Sequence, residues 1–182
     1  AMLTKQLNSN FALKSDQHKL ISENAISNLN LIYLLWSNNY KDEKNDFYFF
    51  SYGLDNRLLG FNNPKNILKL DIYNLLIQST NSHHSLAAIN RQFYWNPIES
   101  YFEPINYDSN IKLDIEPNQI RFPITNETKK AFKSLEKILE DIDINNLYNS
   151  LLNTGINLSV KSINGKLKLI KKNLQVLKKH YN

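Results

Sequence analysis

The sequence predicts an α+β fold that is mainly helical, with one antiparallel β-hairpin at its centre. Three observations predict it. Apolar residues recur at helical spacing through the first and last parts of the chain. Aromatic residues flank a short turn-rich segment between those parts, as they do in paired strands. Prolines stand at Pro64 and Pro123, just ahead of two of the helical stretches, where a proline fits a first turn.

Residues 1–14 show no clear period and read as a flexible arm, with one domain over 15–182. Ser15 or Asp16 caps a helix beginning near His18. Its apolar positions Ile21, Ala25, Ile26, Leu29, Ile32, Tyr33 and Trp36 share one face, and the polar run 38–46 ends it. The aromatic run 47–52 favours a strand, 53–56 a turn, and 57–61 the returning partner. After Pro64 the apolar residues Ile67, Leu68, Leu70, Ile72, Leu75, Leu76 and Ile77 surround a helix nearly all round, which assigns it to the core.

The hairpin is expected at 92–96 and 101–106, around the connection Asn96-Pro97-Ile98-Glu99-Ser100. Residues 111–115 and 120–122 read as further short extended pieces separated by Pro117. Pro123 and Thr125 introduce the second helical part. Phe132, Leu135, Ile138, Leu139 and Ile142 form one stripe there. Leu147, Leu151 and Leu152 belong to a further helix ended by Gly155. Ile163, Leu167, Ile170, Leu174 and Leu177 are spaced 4-3-4-3 over little more than two heptads, too short for a coiled coil and right for a core-facing terminal helix. About five helices are expected to cover more than half of the chain.

Composition narrows the chemistry. Cysteine is absent, so disulfides and thiolate metal sites are excluded. The longest apolar stretch, 29–36, is too short to cross a bilayer, and a cytoplasmic protein without a membrane partner is the expectation. The net charge of +5 is uneven: from residue 161 onward there are seven lysines and no acid. Such a tail is a solvated helix face, and the chain lacks the arginine–aromatic interleaving of RNA-binding strands, so nucleic acid is not the expected partner. With only four glycines there is no phosphate-cradling glycine loop and no GxSxG elbow. The histidines, at 18, 83, 84 and 180, are too few and too scattered for a histidine-rich metal cluster.

One segment carries a chemical pattern. His83-His84-Ser85-Leu86-Ala87-Ala88-Ile89-Asn90 has the spacing of a kinase catalytic loop, H-R-D-L-x-x-x-N. The hairpin follows, and then Pro104-Ile105-Asn106-Tyr107-Asp108. In kinases a hairpin likewise separates the metal-binding asparagine from a metal-binding aspartate. Phosphoryl transfer needs an oxygen-ligated Mg²⁺ against the phosphates, and a carboxylate with an amide oxygen can hold one.

The stretch from His84 through Asn90-Arg91, the aromatic strand and Pro104-Ile105-Asn106-Tyr107-Asp108 resembles the CotH-like family of atypical kinases. The resemblance implies a kinase C-lobe-like fold, with Asn90 and Asp108 as magnesium ligands and Asn90 also touching bound ATP. It places His83, His84 and Ser85 at the catalytic-loop positions, with a histidine supporting the loop, and it makes a protein the expected substrate or partner. Two departures point to a degenerate or partial kinase. Ser85 stands where the loop carries its catalytic aspartate, and a serine does not accept a proton at neutral pH as a carboxylate does. Only about 80 residues precede the loop, with no glycine-rich segment or Lys–Glu pair, so the lobe that would complete the site is expected to be missing. Read without the resemblance, the same aromatics pack a hairpin onto helices, Asn90 caps, Asp108 shapes a turn, and the chain is a non-enzymatic interaction module.

Overall fold

The computed structural model describes residues 4–39 and 53–181. Five helices of ten residues or more lie among them, with one two-stranded antiparallel sheet between the second and the third. The mainly helical α+β prediction therefore holds.

After a single turn, α1 (Ser9–Ala12), comes the long helix α2 (Asp16–Asn39). Ser15 caps it, its Oγ accepting from His18 N at 3.4 Å and standing 2.7 Å from the His18 ring. The helix buries Ile32 and Trp36. The segment read as an arm lies against this helix: Thr4 N and Oγ1 both donate to Asn30 Oδ1, and Gln6 Nε2 donates to Ser22 Oγ.

Residues 57–61, expected to be a strand, instead form most of a helical turn, α3 (Asn56–Leu59). The reason is the cap. Asp55 accepts from Arg57 N at 2.8 Å and pairs with the Arg57 guanidinium at 2.6 Å, while Leu54 and Leu59 go fully into the core. Phe61 and Asn62, both at positive φ, then end the turn. The proposed partner strand, 47–52, lies outside the described residues.

Helix α4 (Pro64–Ser79) has Pro64 in its first turn and the Asn63 side chain as cap. It is buried nearly all round and serves two apolar clusters. Leu70 packs with Ile32, Trp36, Leu54, Leu59 and Phe102, whereas Leu75 and Ile77 pack with Leu86, Phe132, Leu135 and Leu174. Two 3₁₀ turns follow, His83–Leu86 and Ala88–Asn90.

Strands β1 (Gln92–Asn96) and β2 (Tyr101–Ile105) pair with Gln92 opposite Ile105 and Asn96 opposite Tyr101. Asn96 Oδ1 accepts from Ile98 N and Glu99 N in the turn, and Glu99 is clamped to α4 by Lys65 and Lys69. Phe93, Trp95 and Phe102 face inward, while Tyr94 is exposed, the alternation expected of a half-covered ribbon.

Residues 111–115 and 120–122 are not strands. With Pro117 between them, their backbone groups bond elsewhere. Lys112 N donates to Thr80 O, and the buried Asn173 side chain donates to Leu113 O and Ile115 O as well as Ser79 O.

Helix α5 (Thr128–Glu140) buries Phe132, Leu135 and Leu139, and Ile142 packs just beyond its end, but Ile138, expected in the same stripe, is half exposed at its edge. Helix α6 (Ile144–Asn153) is capped by Asp143 and closes in a Schellman motif, with Gly155 at φ +81° and Ile156 N bonded to Leu151 O. Helix α7 (Val160–Tyr181) lays Ile163, Leu174 and Leu177 inward, as its spacing predicts. No helix among the described residues is long and apolar enough to cross a membrane.

Candidate functional site

The site forms where α4 stops. Asn81, at φ +54°, reverses the chain beyond the helix end, and Ser82 N bonds back to Ile77 O. Leu86 and Ala88 anchor the following turns in the two apolar clusters, one in each. Tyr33 on α2 adds a third anchor by donating to Ala88 O at 2.6 Å. The backbone carrying His83, His84 and Asn90 is thus held from both sides.

Three of the predicted residues meet. His84 Nδ1 lies 3.2 Å from Asp108 Oδ2 and 3.1 Å from Asn90 Nδ2, and Asn90 Nδ2 also donates to His84 O at 3.2 Å. Asp108 follows the hairpin at φ +52°, a backbone that aspartate and asparagine tolerate best among residues with a side chain. The His84 and Asp108 side chains are more than half exposed, so the group opens to solvent. One ring nitrogen cannot both accept from an amide and donate to a carboxylate. The neutral ring with a free Nδ1 takes Asn90, whereas the Nδ1–H form takes Asp108.

The other two predicted positions face elsewhere. Ser85 is buried, and its hydroxyl donates to Ser82 O at 2.9 Å, so it does not open onto Asn90 and Asp108. His83 is half buried in a neighbouring cleft. Burial, and after it the electrostatic influence of Arg121, His84 and Lys112, holds its imidazole below the usual histidine range.

An Mg²⁺ ion shared with nucleotide phosphates needs only one or two protein oxygens, and Asp108 with the Asn90 amide oxygen would supply two. Among the described residues no group of three histidine, aspartate or glutamate side chains forms an all-protein cage. Such a two-oxygen donor set would suit a metal carried in with phosphates.

Two buried polar groups escape the motif reading. Arg91 is buried between the rings of Tyr73 and Phe93, bonded to Asn74 Oδ1 at 3.4 Å, with Nε and Nη2 unbonded. Burial pulls its guanidinium down to about 10, against the opposing pull of Tyr73 and Tyr33. Asp71, fully buried on α4, accepts from Asn56 Nδ2 and from the hydroxyls of Thr125 and Thr128, each at 2.7 Å. A signal for these was present. Asp71, Asn74 and Gln78 sit at 3-4 spacing inside a helix that is apolar nearly all round, and a polar stripe there must find polar partners.

The chain matches no protein-family model, no curated protein and no solved structure.

Proposed function

We propose that this chain is a degenerate or partial kinase-like domain that binds a nucleotide–Mg²⁺ complex through Asn90 and Asp108. The observation that carries the reading is the convergence of both side chains on a single ring nitrogen of His84, across a hairpin. When bound, the magnesium would neutralise phosphate charge. Asp108 supplies the carboxylate, Asn90 the amide oxygen, and His84 positions both. Ser85, bonded inward, takes no proton, so phosphotransfer belongs to a complete site formed with an amino-terminal lobe.

Thermal shift with ATP and Mg²⁺ tests the reading. Ligand at 100 times its dissociation constant is expected to stabilise the fold by about 2.7 kcal/mol. Asp108→Asn keeps the left-handed turn and removes the ligand charge, so it should abolish the Mg²⁺-dependent shift with little change in the unliganded melting temperature. A variant that binds nucleotide like the parent, or a parent that shows no shift, sinks the proposal.

A second reading, a non-enzymatic protein-interaction module, draws on a different observation. Ile98 at the hairpin tip is 93% exposed, and Leu20, Leu31 and Leu34 of α2 are more than half exposed. On that reading neither parent nor Asp108→Asn responds to nucleotide, and the variant loses stability only as far as its turn is disturbed.

A further inference from the structure

A shallow cleft open to solvent lies beside, not within, the Asn90–Asp108 group. It is bounded by the end of α4 with Gln78 and Asn81, by His83, and by Asn118, Gln119 and Arg121 of the segment that follows Pro117. Every polar side chain on this wall is an amide, an imidazole or a guanidinium, and none is a carboxylate.

Gln78 is 2% exposed, yet neither its Nε2 nor its Oε1 has a partner among the described residues. A buried amide left unbonded costs stability, and native proteins seldom keep one without a use. Arg121 is held by a neutral group: with the Gln119 amide turned to suit, its oxygen accepts from Arg121 Nε at 3.1 Å and Nη2 at 3.0 Å. A neutral clamp orients the guanidinium without cancelling its charge, and no carboxylate among the described residues pairs with Arg121. Beyond burial, the groups that act on His83 include the cations Arg121 and Lys112, and the carboxylate of Asp108 is turned to His84.

We propose that this cleft binds a phosphoryl group, with Gln78, His83 and Arg121 donating to its oxygens. Donors arrive from three chain segments, which suits a tetrahedral anion with three free oxygens better than a carboxylate with two in one plane. The bound anion would accept from Gln78 Nε2 and offset the charge of Arg121. The proposal stands apart from the nucleotide reading, since it needs neither Asn90 nor Asp108.

The test is an NMR titration of ¹⁵N-labelled protein with inorganic phosphate at constant ionic strength, with sodium acetate and sodium chloride as parallel arms. Saturable shifts are expected at the Gln78 side-chain amide and the Arg121 Nε–H with phosphate, with acetate about tenfold weaker or worse. Arg121→Gln should weaken phosphate by about tenfold or more. Gln78→Leu should raise the melting temperature of the phosphate-free protein and remove the further stabilisation by phosphate. Asp108→Asn should leave phosphate binding unchanged. Equal shifts in the chloride arm, acetate binding as tight as phosphate, parent-like affinity in both cleft variants, or loss of binding in Asp108→Asn would each overturn the assignment.

Discussion

Asp71 carries more structural consequence than its single position suggests. Three donors converge on it from α3 and from the start of α5, and among the described residues no cation does. The two threonines have fixed roles, because Thr128 Oγ1 also accepts from Thr125 N and Thr125 Oγ1 from Glu127 N. Their protons therefore have only the carboxylate to go to. Asp71→Ala strands three buried donors and should cost about 3 kcal/mol in urea unfolding. Burial raises the Asp71 pKa above its ordinary 3.8, against the opposing pull of the three hydrogen bonds. A folded value raised above the unfolded one stabilises fully below 3.8, and that contribution is lost as pH rises through the folded value. Unfolding free energies measured across that window should fall with pH in the parent, and Asp71→Ala should lack this component. Arg91 is the converse case. Its buried guanidinium has one long bond, and replacing it by a residue of similar volume that needs none, Arg91→Met, is expected to leave stability unchanged or raise it. A clear loss of stability in that variant would show that ring stacking on Tyr73 and Phe93 outweighs desolvation.

At the scale of elements, the sequence was legible wherever a periodic face met a core. Helices α2, α4, α5 and α7 and the hairpin follow from spacing, because one face of each had to be buried and only one register buried it. The exceptions have local causes. At 57–61 the hydrophobic residues suited a strand, but a side-chain bond from Asp55 to the Arg57 amide outweighed them at close range. At 111–115 the pattern called for extension, yet the bonding partners came from Asn173, about sixty residues away in sequence, and no local reading finds such a partner. The site divided in the same way. Asn90, His84 and Asp108 were visible through their spacing, whereas the wall of the cleft was not, because Gln78, His83 and Arg121 meet only after the chain has folded. Caps give the elements their ends. Asp143 accepts from Asn145 N and Asn146 N at the start of α6, a helix with no buried residue of its own, so Asp143→Ala should cost about 1 kcal/mol. Amide hydrogen exchange should show the loss first at residues 144–147.

At the scale of the whole molecule, α4 is the one helix among the described residues that contributes buried residues to both apolar clusters. Leu70 and Leu75 lie little more than one turn apart, yet each belongs to a different cluster. Leu70→Ala and Leu75→Ala should each cost about 2–5 kcal/mol, and each should lower the stability of the molecule as a unit rather than melt one half. The clusters differ in one respect that matters at the bench. The chain has two tryptophans, and both Trp36 and Trp95 sit with the cluster that carries the hairpin, while the other, built from α5 and α7 against α4, has none. Tryptophan emission is therefore blind to the half built on α5 and α7, whereas far-ultraviolet ellipticity reports the helices of both halves. Coincidence of the two signals along a denaturant curve then measures one thing directly, the strength with which a single shared helix welds a half without tryptophan to the half that holds both.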